Sequence, residues 1–243
     1  GALCYDAGLS VNMDYGPSGA IGGSGANGLA PADALKNTFS YSSAVKGYDS
    51  NSGPGQPIPI AMNNSYTGLL GMINPNLDAG YPVILGLVRY GLDGKTQVAG
   101  HEIVCDGYGF NLQVRYHHLN MGWGGVDDLW YSLDTIETTP DYDAVYQCVY
   151  NIRPTGTGEM VSGRVTGLNG IPIAGVQVSA SVDPPPPPPT IPLPVRDSTN
   201  DRGIYAFRDS FFNQFLGSNT SYIVCAGRSG YFFQPHPQSL YTT

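Results

Sequence analysis

The stretch YPVILGLVRYGLDGKTQVAGHEIVCDGY, residues 81–108, decides the fold of the first part of the chain. Residues 81–90 form a nearly continuous apolar and β-branched run, which predicts a strand covered on both faces. The LDG sequence at 92–94 predicts a tight turn, and residues 97–108 are typical of the returning strand. This hairpin therefore predicts an antiparallel sheet.

Further strands and two helices complete the expected architecture. Strands are predicted at 112–119, 129–133 and 144–152, and helices at 27–39 and 65–77. Pro31 suits the first turn of the first helix, whereas Pro75 is expected to end the second. Consecutive strands with short connections, accompanied by helices toward the N-terminal side, predict the α+β class.

The segment TGTG at residues 155–158 is the best candidate for a linker, and it predicts two domains, 1–154 and 159–243. Beyond it only short strands and turns are predicted, which favours a small all-β sandwich. The proline-rich insert at 184–194 cannot donate ladder hydrogen bonds and is expected to form polyproline II in solvent. It could serve as a ligand of an SH3-like domain, but a stiff surface loop is the favoured interpretation.

The composition limits the classes of partner. Only 12% of the 243 residues are charged and the formal net charge is −8, so a cationic face for nucleic acid is not expected. The longest apolar stretch, residues 83–88, is too short to span a membrane. We therefore expect neither nucleic acid nor a membrane span.

The four cysteines, Cys4, Cys105, Cys148 and Cys225, are widely spaced and include no C-x-x-C pair. This spacing argues against a zinc site and against a dense disulfide framework, and the cysteines are interpreted as buried thiols. His117 and His118 are adjacent on a predicted strand, so they point to opposite faces and cannot bind one metal ion together. No metal and no cofactor is expected.

Two segments contain candidates for acid–base chemistry. His101 follows a glycine early in a predicted strand and can project into a cleft, although a purely structural histidine is the alternative. In the segment NMGWGG at 120–125, Asn120 can hydrogen-bond an imidazole and fix its tautomer, and Trp123 can provide a flat apolar wall. The alternative for this segment is a glycine-rich turn packed under an aromatic ring.

Three motifs resemble, in their order and spacing, the streptopain family (peptidase C10) of papain-like bacterial cysteine peptidases. They are YDAGLSVNMDYGPSG at 5–19, GHEIVCDGY at 100–108 and YHHLNMGWGG at 116–125. The resemblance covers roughly residues 2–153. It implies the C-terminal, antiparallel-sheet half of a papain-like fold, in a secreted or extracellular bacterial protein.

The resemblance also implies roles for individual residues. His101 would be the general base and Asn120 would orient it by a direct hydrogen bond across adjacent strands. Met121 stands where the family has the first tryptophan of this turn. The implied substrate-binding residues are Trp123, Met121, Ser18 and Ser24.

The nucleophile of the family lies before the segment that this chain matches. Cys105 lies four residues from His101 and shares its face of the strand, but it is expected to be a core residue. We therefore expect a fragment of a secreted cysteine endopeptidase, acting on protein or peptide substrates and inactive in isolation. The alternatives are a degenerate binding or surface-attachment module, or a two-chain enzyme whose second chain supplies the cysteine. Self-association through the face exposed by the missing half is also expected.

The second part resembles the carboxypeptidase-regulatory-like or transthyretin-like β-sandwich domains. The resemblance is carried by SGRV at 162–165, PIAGV at 172–176, NDRGIY at 200–205 and GY at 230–231. It implies a spacer or adhesion role without chemistry of its own.

Residues 160–243 are expected to fold without the first part, because their apolar positions suffice for a small core. Replacing 184–194 by a short Gly-Ser linker should change the free energy of unfolding by less than about 1 kcal/mol, since loop-closure entropy varies slowly with length. Denaturant melts of the isolated segment, with and without the insert, measure both. An unfolded segment, or a loss of several kcal/mol, would mean that the two parts share one core.

Overall fold

The computed structural model describes residues 1–17, 23–50, 53–60, 68–112, 114–185, 194–207, 216–234 and 238–242. The chain forms two compact units, Gly1–Pro154 and Thr155–Thr243. The elements of the first unit are α1 (Ala2–Ser10), α2 (Ala30–Asn37), β1 (Ser43–Gly47), α3 (Leu69–Asp78), β2 (Val83–Tyr90), β3 (Gln97–Asn111), β4 (Val114–Asn120), β5 (Leu129–Tyr131) and β6 (Ala144–Arg153).

The strands of the first unit form one six-stranded antiparallel sheet in the order β1-β6-β2-β3-β4-β5. The predicted hairpin is present as β2 and β3, in which Val83 pairs with Cys105 and Leu87 with His101. The α+β class is thus confirmed. Helix α1 and strand β1 were not predicted from the sequence.

Helices cover both faces of this sheet because successive residues of a strand point to opposite sides. On what we call the core face, Leu85 of β2 and Ile103 of β3 pack with Leu69 and Ile73 of α3 in the main hydrophobic cluster. On the second face, a smaller cluster joins α2 to the sheet; it contains Ala32, Ala44 and Val149, with Ile84 packed against it. The faces therefore have separate cores.

The expectation that Pro75 ends the second helix is wrong, because α3 continues to Asp78. The side chain of the next residue, Asn76, is fully buried: its Nδ2 donates to the carbonyl of Met72 at 2.8 Å, and its Oδ1 accepts from the backbone N–H of Asn151 in β6 at 2.7 Å. The bond to Asn151 attaches the C-terminal turn of the helix to the sheet. The predicted helix start at Ser65 lies outside the described residues.

The second unit contains β7 (Val161–Arg164), β8 (Gln177–Val182), β9 (Val195–Ser198), β10 (Ile204–Phe207), β11 (Thr220–Gly227) and β12 (Gln238–Thr242). Strands β10 and β7 form one antiparallel pair, and the others form a four-stranded antiparallel sheet in the order β12-β11-β8-β9. Both sheets contribute to one core, which contains Val178 of β8, Phe207 of β10 and Tyr222 of β11. Most of the proline-rich insert, residues 186–193, lies outside the described residues.

No helix among the described residues is long and apolar enough to cross a membrane.

A polar network is buried at the end of α3. His117 of β4 is 1% exposed and its Nε2 donates to Asn74 Oδ1 at 2.9 Å. Tyr108 of β3 stacks on the imidazole with ring centroids 5.7 Å apart, and its hydroxyl donates to Asp78 Oδ1 at 2.8 Å. Burial lowers the pKa of His117 to about 4, because the charged form loses its hydration.

Acid should therefore weaken the first unit through His117. The neutral form is favoured by folding, so its contribution is complete above the ordinary histidine pKa of 6.5 and is lost as the pH falls toward about 4. Between about pH 7.5 and about pH 4, the wild type should lose about 3 kcal/mol more unfolding free energy than His117→Gln, which keeps a neutral donor. Urea melts at several pH values measure this difference, and parallel curves would contradict it.

Candidate active site

Strand β3 places His101 on the core face of the sheet. It pairs with Leu87 of β2 and shares its face with Ile103 and Cys105, because these residues alternate along one strand. Whereas Ile103 and Cys105 are buried, His101 is only partly buried. The imidazole thus lies where the core meets the surface, as a base that must reach a substrate requires.

The orientation of the imidazole is determined by the backbone. His101 Nε2 lies 2.8 Å from the carbonyl oxygen of Met121. A carbonyl oxygen can only accept, so Nε2 carries the hydrogen and the tautomer follows from this bond. In the neutral ring the lone pair is therefore on Nδ1, the nitrogen available as a proton acceptor.

Two aromatic rings lie nearly parallel to the imidazole. The ring centroid of Trp123 is 4.9 Å away with an interplanar angle of 23°, and that of Tyr142 is 6.1 Å away at 22°. The two rings therefore form aromatic walls beside the imidazole. Trp123 lies where the sequence analysis expected a wall. Tyr142 was not expected, because no motif surrounds it and it lies far from His101 along the chain.

Asn120 does not form the direct hydrogen bond to His101 that was expected. It pairs with Val104 of β3, one residue out of phase with the alternation of His101, Ile103 and Cys105, so its side chain is on the second face. Asn120 Oδ1 instead accepts from the backbone N–H of Gly122 at 2.9 Å. Asn120 cannot bond His101 directly because the two side chains lie on opposite faces of the sheet.

Of the other residues expected to bind substrate, Met121 is buried and Ser24 is exposed. The side chain of Met121 is 1% exposed and belongs to the main core, so it cannot form a wall for substrate; only its carbonyl reaches His101. This follows from the strand period, because Leu119 is on the same face and is also buried. Ser24 is exposed and its hydroxyl donates to the carbonyl of Gly16 at 3.4 Å. Ser18 lies outside the described residues.

All four cysteines are free thiols, but only two are fully buried. The expectation of buried thiols is wrong for Cys4, which is exposed on α1, and Cys225 is half-buried. Burial raises the pKa of Cys105 to about 12 and also raises that of Cys148. A nucleophilic cysteine needs the opposite shift, so these two thiols have the properties of core residues.

His117 and His118 are on opposite faces of β4. His117 is buried, whereas His118 Nδ1 lies 2.7 Å from Asp106 Oδ1 in a partly exposed pair. Within the part of the chain that the structure describes, His, Cys, Asp and Glu side chains form no group of three that could hold a metal ion.

The residue after His101 is a buried carboxyl group on the second face. Glu102 Oε1 accepts from Gln147 Nε2 at 2.7 Å, while Oε2 is buried without a hydrogen-bond partner among the described residues. A Cβ atom at Gly28 would lie 1.7 Å from Oε1, so only glycine allows the chain to pass this close. Burial raises the pKa of Glu102 to about 7.

A histidine with one nitrogen held by an acceptor and the other available as a base is the arrangement that cysteine peptidases require. The sequence profile of the Peptidase C10 family matches residues 1–131. This match covers more than half of the chain, and the chain belongs to the Peptidase C10 family.

Two curated relatives and one solved structure show where this chain is similar to known proteins. Streptopain of Streptococcus pyogenes serotype M1 is 33% identical over 135 residues, which are 55% of this chain and 27% of that protein. Streptopain of S. pyogenes serotype M18 (strain MGAS8232) is 32% identical over the same length. The chain therefore matches about a quarter of the length of these relatives. The structure of active wild-type interpain A, a cysteine protease of Prevotella intermedia, aligns with a TM-score of 0.47 at 25% identity, covering 61% of this chain and 53% of that one.

Glu102 gives the first unit a pH dependence opposite to that of His117. Its folded pKa of about 7 exceeds the ordinary value of 4.5, so its stabilising contribution is complete below pH 4.5 and is lost as the pH rises through about 7. Between about pH 4.5 and about pH 8, the wild type should lose about 3 kcal/mol relative to Glu102→Gln.

Urea melts at both pH values measure this loss, and the exposed Glu137→Gln is the matched control because it removes the same charge from solvent. If Glu102→Gln and Glu137→Gln respond alike, burial does not govern the protonation of Glu102.

Proposed function

We propose that this chain is the histidine-bearing part of a secreted bacterial cysteine endopeptidase that acts on protein or peptide substrates. The observation that carries the proposal is the bond of His101 Nε2 to the Met121 carbonyl, which makes Nδ1 the base. The nucleophilic cysteine would come from a segment upstream of the matched residues or from a second chain. Papain-like topology of residues 1–154 is part of this proposal.

In the proposed reaction, His101 Nδ1 takes the proton from the cysteine Sγ–H, and the thiolate attacks the carbonyl carbon of the scissile peptide. The imidazolium then gives this proton to the leaving amine as the C–N bond breaks, which leaves a thioester that water hydrolyses. Nε2–H remains bonded to Met121 O in both charge states, so the ring keeps its orientation throughout. The rings of Trp123 and Tyr142 stack on the imidazole and would be in contact with the imidazolium formed in this step.

For the second unit we propose a carboxypeptidase-regulatory-like β-sandwich over 159–243 that serves as a spacer or attachment module. Its two sheets share a hydrophobic core, which supports a domain with its own stability. We also propose self-association through α1, whose Leu3, Tyr5 and Leu9 are 70%, 58% and 53% exposed.

A non-catalytic binding module is the second candidate function. It is favoured by the burial of Cys105 and Cys148, whose pKa values are raised rather than lowered.

The isolated chain of 243 residues should not cleave casein in a thiol-dependent way, because Cys105, the cysteine on the strand of His101, and Cys148 are buried thiols with raised pKa values. Cleavage by the pure protein that disappears on alkylation would contradict this, and Cys105→Ser would then be the first variant to examine.

The positive test uses an extended chain that includes a cysteine-bearing helix encoded upstream of Ala2. Its casein cleavage should be abolished by alkylation, and His101→Ala should lower kcat at least about a hundredfold, as expected for loss of a general base. The matched control is His118→Ala, which removes a partly buried imidazole from the opposite face and should retain activity. If the extended chain is inactive, or if both variants retain activity, the binding-module function replaces this proposal.

A further inference from the structure

We propose that Asn120 and Asp128 are positioning residues, which orient His101 through the two peptide groups on either side of Met121. The inference rests on the proposed role of His101 as the base and deepens it. Neither side chain needs to touch the imidazole, because each holds a backbone N–H of the turn that presents the Met121 carbonyl.

Asn120 acts on the peptide group that bonds the histidine. Its Oδ1 accepts from Gly122 N–H at 2.9 Å, and the same peptide group carries the Met121 carbonyl, which accepts from His101 Nε2 at 2.8 Å. One planar amide thus donates to Asn120 and accepts from His101. Hydrogen bonds in series polarise one another, so the bond to Asn120 makes the carbonyl a better acceptor for the imidazole. In this way a side chain on the second face reaches a base on the core face.

Asp128 holds the preceding peptide group. Its Oδ1 accepts from Met121 N–H at 2.8 Å. The two peptide planes meet at the Met121 Cα, so anchoring both N–H groups fixes the φ and ψ angles of this residue and with them the direction of its carbonyl. The side chain of Met121, only 1% exposed in the main core, is a third anchor. Each of the two peptide groups is thus held by its own side-chain acceptor.

The alternative explanation is that Asn120 and Asp128 only stabilise the turn. In that case their removal would leave the imidazole of His101 unaffected. Asparagine and aspartate commonly accept from a backbone N–H two residues on and stabilise turns in this way. Asn169 does this in the second unit, where its Oδ1 accepts from Ile171 N at 3.2 Å. If Asn120 and Asp128 position the base, however, their removal must change the tautomer of His101.

The test uses the 243-residue chain with ¹⁵N-labelled histidine, observed by long-range ¹H–¹⁵N spectra at a pH where the rings are neutral. Single histidine variants assign His101. In Asn120→Ala and in Asp128→Ala, the ratio of the Nε2–H to the Nδ1–H tautomer should fall on the order of threefold to tenfold, the range of one hydrogen bond of ordinary net strength. Asn120→Asp and Asp128→Asn keep an acceptor oxygen and should retain the ratio. Asn169→Ala is the matched control and should leave it unchanged.

Gly122→Ala perturbs the same carbonyl while both acceptors remain. A Cβ at Gly122 meets nothing within 4 Å, so the fold should persist, but its φ of +74° disfavours alanine and the Met121 carbonyl should turn. The tautomer ratio should again fall. This variant tests the proposal even if an alanine variant at either acceptor fails to fold.

Amide exchange of Gly122 tests the route through the peptide. In Asn120→Ala, protection of the Gly122 N–H should fall together with the tautomer ratio. A changed ratio with unchanged Gly122 exchange would mean that Asn120 contacts the ring directly, and an unchanged ratio in folded alanine variants would mean a role in the turn only. Either result overturns the proposal. An inactive extended chain would refute the peptidase function but would leave the tautomer ratios as they are, so the two failures are distinguishable.

Discussion

The site depends on the hydrogen bond from His101 Nε2 to the carbonyl oxygen of Met121. A side-chain amide can offer either an oxygen or an NH₂ group after rotation, whereas a backbone carbonyl in a fixed turn can only accept. The bond therefore excludes the Nδ1–H tautomer more strictly than an asparagine side chain would. The consequence is that the chemistry of the imidazole is determined by backbone geometry, and the side chains around residues 120–128 contribute by shaping that backbone.

Because side chains alternate along β4, the residues around the Met121 carbonyl lie on both faces of the sheet. Leu119 and Met121 point into the core, so the chain is firmly held at the point where the carbonyl must be presented. Asn120, between them, points to the second face and is free to bond the next peptide. Beyond it, Gly122, Gly124 and Gly125 have positive φ values of 74°, 68° and 94°, which allow the chain to return and bring Trp123 onto the imidazole. The motif NMGWGG thus has a physical reason at almost every position.

Much of the sheet could be predicted from the sequence because its signal is local. The apolar run of β2 and the LDG turn define a hairpin without reference to the rest of the chain. The face of Asn120 could not be predicted in this way, because it depends on the register of β3 with β4, which shifts between Cys105 and Gly107. Tyr142 was not predicted because only the fold brings it close to His101. Asp128 was not predicted because a single carboxylate in a loop forms no recognisable sequence motif. The C-terminal turn of α3, beyond Pro75, is attached to β6 by the buried bond between Asn76 and Asn151, a tertiary contact that the local sequence does not indicate.

Two titratable groups of the first unit, His117 and Glu102, have opposite effects on its stability. His117 is favoured by folding in its neutral form, and its contribution rises between about pH 4 and 6.5. Glu102 is favoured in its protonated form, and its contribution falls between 4.5 and about 7. The two shifts are of similar size, so the slopes largely cancel where the windows overlap, and each group limits stability only beyond its own end of that range. Either group alone would make the unfolding free energy slope across mildly acidic pH, whereas together, on opposite faces of the sheet, the two groups contribute a smaller slope than either would alone.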